Sequence, residues 1–196
     1  MRILIKYENQ LRQFILRVPR NTLLILICIL IGIVSGISVF LLKNLLKEIH
    51  HVIQLIGNQN ISNILYALLP MIGLFLTVTY FNLFHPNGFK KGISHILYAI
   101  KNKSSNIERS QMYGHIFSSA LTVGFGGSAG FEAPVVATGS AIGSNIAQYF
   151  KFSKDDKTLL LASGAAAGIS AIYNAPIAGV LFAIEVLLVG VSVSAF

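Results

Sequence analysis

The chain has a single cysteine, Cys28, among 196 residues, and only seven acidic side chains. A lone cysteine cannot form a disulfide within its own chain and leaves the redox compartment unread. Placed inside an apolar run, Cys28 reads as a small buried hydrophobe. Charge of either sign is scarce, at 11% of residues against about a quarter in a soluble domain. Apolar residues make up 54% and the mean hydropathy is +0.71, which excludes an ordinary soluble domain and predicts a chain embedded in a lipid bilayer. The five histidines, His50, His51, His85, His95 and His115, lack the i, i+4 spacing of a helical metal site, so neither a metal nor a cofactor is expected. The net charge is +8, yet the basic residues are spread over short loops without interleaved aromatics, which argues against nucleic acid as a partner.

Thr22–Leu42 has no charge and is long enough to cross a hydrocarbon core of ~30 Å, and Asn63–Phe84 is a second such stretch. Met1–Arg20 carries recurrent charges and Pro19, and no small-residue cleavage site follows it. It reads as an amphipathic helix on the membrane surface rather than a signal peptide. Arg2, Lys6, Arg12, Arg17 and Arg20 precede the first span, and Lys90, Lys91, Lys101, Lys103 and Arg109 follow the second. Positive charge collects on the cytoplasmic side, so both clusters predict a cytoplasmic N-terminus. Lys151, Lys154 and Lys157 are diluted by Asp155 and Asp156 and decide nothing.

After Phe84 the pattern changes. Ile93–Ile100 is too short to span, and Arg109–Gly126, Glu132–Phe150, Thr158–Tyr173 and Pro176–Val189 are short or rich in Gly, Ser and Ala. Small residues one turn apart let helices approach closely, as at Gly139 and Gly143, Gly164 and Gly168, and in the first span Gly32 and Gly36. These segments predict a tight bundle of tilted or half-spanning helices, the architecture that brings helix termini to membrane depth.

The stretch "GGSAGFEAP", Gly126–Pro134, sets a carboxylate among glycines between apolar runs. Gly126–Gly130 fits the G-x-S-x-G nucleophile elbow, with Ser128 as nucleophile and His115 as base of an intramembrane hydrolase, but no histidine follows position 115. Gly124-x-Gly126-x-x-Ala129 is a loose dinucleotide fingerprint without the strand–helix–strand it needs. The third reading is a helix start at Glu132-Ala133-Pro134, since proline suits a first turn. Free amides and the positive dipole end there make an anion site, and Glu132 would be a tethered competitor of a permeating anion. The plainer alternative is that Glu132 merely caps the dipole, although acids at membrane depth are costly and usually functional.

"GFEAPVVATGSAIGSNIA" resembles the G-R/K-E-G-P motif and following helix of the CLC chloride channel and transporter family. "LLLASGAAAGISAIYNAPIAGVLFAIE" resembles that family's next two helices, including the turn Asn174-Ala175-Pro176. The resemblance implies an all-α polytopic membrane protein in which residues 21–196 form the first half of an inverted-repeat transport domain. It implies Glu132 as gating glutamate, Gly130, Phe131, Glu132 and Ala133 as one part of the anion site, and Lys91, Gly92 and Ile93 as another. It further implies a homodimer, in a bacterial inner membrane, that carries chloride or a similar small anion.

Three departures qualify it. Lys91 stands where the family has an anion-coordinating serine, and Ser94 replaces the motif proline, so the central site and its choice of anion are expected to differ. Val186 occupies the position of the inner proton glutamate of the family's exchangers, which points to passive conduction, with proton/anion antiport as the alternative. The family's second half, with its own helix start and pore tyrosine, is missing here, so a non-conducting fragment that needs a complementing half is the rival reading. Glu185 reads either as facing a partner or vestibule or as a buried, paired acid, and Tyr173 as an interfacial or packing residue.

Overall fold

The computed structural model describes residues 19–57, 63–85, 89 and 92–188, and all regular structure among them is helical. The order is α1 (Arg20–Gly57), α2 (Asn63–Phe84), α3 (Ile93–Asn102), α4 (Gln111–Gly124), α5 (Glu132–Tyr149), α6 (Lys154–Tyr173) and α7 (Pro176–Phe182), which runs on into a π-helical turn, Ala183–Leu187. The all-α expectation holds. The amphipathic helix expected over Met1–Arg20 lies outside the described residues as far as Val18, and Arg20 itself opens α1.

The first apolar run is longer than expected. No proline or glycine interrupts the chain between Gly36 and Gly57, and Lys43, Lys47 and Glu48 are good helix formers, so α1 continues for 38 residues. At 1.5 Å per residue it reaches ~57 Å, well beyond a ~30 Å hydrocarbon core. Only one stripe of α1 is buried, Ile27, Ile31, Ser35, Val39 and Leu42. Ile25, Leu26, Ile29, Ile33, Ile37 and Phe40 are exposed, so its outer surface is as apolar as the stripe it buries. The second run forms α2 with the bounds read from the sequence.

The centre of the bundle is the antiparallel pair α5 and α6. Their contacts keep one register: Val135 faces Gly168, Gly139 faces Gly164, and Gly143 faces Leu160. A methyl group on Gly139 would collide with the Gly164 carbonyl, and one on Gly143 with that of Leu160. Gly139 and Gly164 therefore meet directly, while Gly143 and Gly168 each admit the backbone or side chain of a larger residue, Leu160 and Val135. Gly179 of α7 sits equally close to Ala166 and Ser170 of α6. Gly32 and Gly36 behave differently: no atom lies within 4 Å of where a Cβ would stand, so that pair makes no close approach among the described residues.

One end of the bundle is tied together by polar side chains. Ser144 of α5 accepts from the Ile107 N–H at 2.9 Å and donates to the Ser105 carbonyl at 2.6 Å, while Asn145 and Gln148 both donate to the Ile107 carbonyl. These bonds satisfy the backbone of the loop between α3 and α4. Ser153 caps α6 by accepting from the Asp156 N–H, and Arg20 donates to Asp156 Oδ1 at 2.6 Å. The start of α1, the α3–α4 loop and the α5–α6 loop thus share one end. They carry Arg20, Lys103, Arg109, Lys151, Lys154 and Lys157 there. The third basic cluster, indecisive in sequence, thus lies at the same end as Arg20, Lys103 and Arg109.

Candidate site at the start of helix α5

Glu132 is the first residue of α5, and Pro134 falls in its first turn as the motif predicts. The turn before it needs glycine at Gly126, where φ is +91°, a conformation costly for a side-chain-bearing residue. The Glu132 carboxylate folds back over its own helix start. Oε2 lies over Gly130, in the space a Cβ there would fill, and the carboxylate is hydrogen-bonded to the Glu132 N–H. Its other oxygen, Oε1, accepts a hydrogen bond from the Tyr173 hydroxyl. Glu132 is exposed on the outer face of this turn.

Tyr173, expected from the sequence as a packing or interfacial residue, is the side chain that bonds Glu132. It is the last residue of α6. The α5–α6 register brings it beside Glu132: one turn beyond the Val135–Gly168 contact, residue 131 faces residue 172. Nothing in local sequence announces that pairing, which depends on how two helices cross.

Of the residues expected to form an anion site, Gly92 from one segment and Gly130 and Ala133 from the other line a common cavity. Gly92, at the start of α3, lines one cavity of about 230 Å³ together with Ala129, Gly130, Ala133 and Pro134. Gly92 takes a φ of +82°, open to glycine and strained for other residues. Lys91 lies outside the described residues, and Ile93 packs into the apolar core. Phe131 turns towards α1 and packs with Val39, Leu42 and Val135, away from the cavity. The remaining wall mixes the apolar ring of Phe81 with polar residues, Thr77 of α2 and His115, Ser118, Ser119 and Thr122 of α4. Each hydroxyl donates to a carbonyl of its own helix, Thr77 to Gly73 and Thr122 to Ser118, both at 2.9 Å.

His115 Nε2 lies 2.7 Å from Gln111 Oε1, and Ser128 is exposed on the turn. His115 is thus engaged on its own helix rather than set as a base on Ser128. Val186 is half-buried in the π-helical turn and packs against the apolar cluster that contains Ala183 and Leu187. Glu185 beside it is exposed, which removes the reading of a buried, paired acid.

The family model of the voltage gated chloride channel matches residues 73–196. An "H(+)/Cl(-) exchange transporter ClcA" of Vibrio parahaemolyticus serotype O3:K6 is 36% identical over 120 residues, which cover 61% of this chain and 25% of that protein. A protein of the same name from Citrobacter koseri is 37% identical over 123 residues, covering 62% of this chain and 25% of its own. The chain spans about a quarter of the length of the curated relatives it matches. Members of this family are transport proteins and not enzymes, which rules out the hydrolase reading of Ser128. With its glycine-bounded Glu132 motif lying inside the matched residues, the chain belongs to the voltage gated chloride channel family.

Proposed function

We propose that the chain contributes to a bilayer-embedded pathway for small inorganic anions, chloride first among them, and that Glu132 gates it. The observation that carries this reading is the Glu132 carboxylate folded onto the first residues of α5, where free N–H groups attract negative charge. The cavity shared by Gly92, Gly130 and Ala133 supports it, because two helix starts converge there. The apolar outer surface of α1 supports the bilayer, and the basic end of the bundle supports a cytoplasmic N-terminus in a bacterial inner membrane. The exposed Glu132–Tyr173 face supports a pathway completed by a complementing half, and the complete protein works as a homodimer.

The transport is exchange of anion for protons, favoured by the names of both relatives over the passive conduction that Val186 alone indicates. Val186 keeps the second reading, a passive channel, in play, because it sets an apolar side chain where a proton carrier is expected. The deciding experiment is anion flux in the complete protein, reconstituted in liposomes, with and without Glu132→Gln, at two external pH values. A gate gives higher flux and a flatter pH dependence in the variant. A structural cap leaves flux per folded molecule unaltered.

A further inference from the structure

We infer that Tyr173 is a positioning residue that latches the Glu132 carboxylate in its folded-back position. The inference rests on the proposed gating role of Glu132 and adds a partner that composition and motif do not show. The Tyr173 hydroxyl donates to Oε1, while Oε2 rests over Gly130, so the carboxylate is held from both sides.

The latch is mounted on rigid backbone. Close packing of Gly139 on Gly164 and of Val135 on Gly168 fixes the start of α5 against the end of α6. The end of α6 is itself secured. Lys43 of α1 donates to the Ala171 carbonyl at 2.9 Å, and Asn174 closes the helix in the left-handed conformation, its N–H bonded to the Ser170 carbonyl. Ala171 and Ile172 pack with Phe131 against α1. The ring can therefore move relative to Glu132 only by rotating its own side chain.

The chemistry is directional. A phenol donates more strongly to a charged carboxylate than to a neutral carboxyl. Tyr173 thus favours the charged, folded-back form of Glu132 and opposes its replacement by an anion. Protonation of Glu132 weakens the bond and frees the side chain to leave. Of the ionisable groups on the helices packed here, Tyr173 bonds the carboxylate, Lys43 donates to the Ala171 carbonyl and His115 of α4 pairs with Gln111; Lys47, Glu48, His50 and His51 further along α1 are exposed, and Arg20, Lys154, Asp155, Asp156 and Lys157 lie at the opposite ends of α1 and α6.

The test is the pH profile of anion flux in the complete protein, reconstituted in liposomes, for the unmodified protein, Tyr173→Phe, Glu132→Gln and the double variant. Tyr173→Phe keeps the ring and removes only the hydroxyl. Elution at the same volume as the unmodified protein establishes that the variant is folded. The expected result is that half-maximal flux in Tyr173→Phe moves to higher pH by about one unit, a tenfold change in the fraction blocked. The double variant is expected to match Glu132→Gln. If Glu132→Gln raises flux and flattens the profile while Tyr173→Phe tracks the unmodified protein, the latch is overturned and the gate stands. If Glu132→Gln leaves flux and profile unchanged, the gate falls, and the latch with it.

Discussion

Gly139 and Gly164 face each other across α5 and α6 so closely that neither position has room for a methyl group: each would strike the other's carbonyl. This contact sets the spacing of the two helices whose ends carry Glu132 and Tyr173. Gly164→Ala is expected to cost ~1–3 kcal/mol, the range for overpacking a filled site. Gly32→Ala, where no atom of the described residues lies within 4 Å, is expected to be neutral or stabilising by up to ~1 kcal/mol, because glycine is a poor helix former. Thermal unfolding of the two variants in detergent checks the contrast. Equal loss in both would show that helix propensity, and not close approach, sets the effect.

Ser144 is fully buried and bonds both the Ile107 N–H and the Ser105 carbonyl. Ser144→Ala strands those backbone groups in the interior and is expected to lower stability by ~1–3 kcal/mol. Ser144→Thr retains the hydroxyl but must fit an added methyl. The loop between α3 and α4 should become more open to protease in Ser144→Ala, which limited proteolysis reads directly.

The basic residues at one end of the bundle make orientation testable. A cysteine introduced as Lys103→Cys, and another as Lys151→Cys, each with Cys28→Ser, are expected to react with a membrane-impermeant maleimide only after permeabilisation. Both sites lie at the end that Arg20 and Asp156 tie together, so they must agree. Labelling of either in intact cells reverses the orientation.

Coupling is the point on which Val186 and the named relatives pull apart. If the complete protein is an exchanger, an imposed chloride gradient in proteoliposomes drives protons uphill at a fixed ratio. Proton movement that stays at the level of empty liposomes supports the passive channel. Val186→Glu is expected to enhance proton movement only if a carboxylate at that place can be hydrated, since the side chain now packs against the apolar cluster that contains Ala183 and Leu187. An ion buried there without a partner is costly.

Composition alone determined that the chain is apolar on the scale of membrane proteins, because charge is so scarce that most of the surface must be carbon. Pattern alone determined most helices. Asn63–Phe84 has the bounds read from the sequence, and the Glu132 helix begins where proline and the glycine run place it. Local signals of this kind act within one turn of the chain and are legible there. The length of α1 was not, because hydropathy falls at Lys43 while helix propensity does not. Nor was the idleness of Gly32 and Gly36, whose spacing matches that of Gly139 and Gly143: a spacing states that close approach is possible, and only a neighbouring helix makes it real. The Tyr173–Glu132 bond lies furthest beyond sequence reading. The two residues are 41 positions apart, joined by the register of two antiparallel helices, and that register is fixed by which glycines meet which carbonyls once the helices pack.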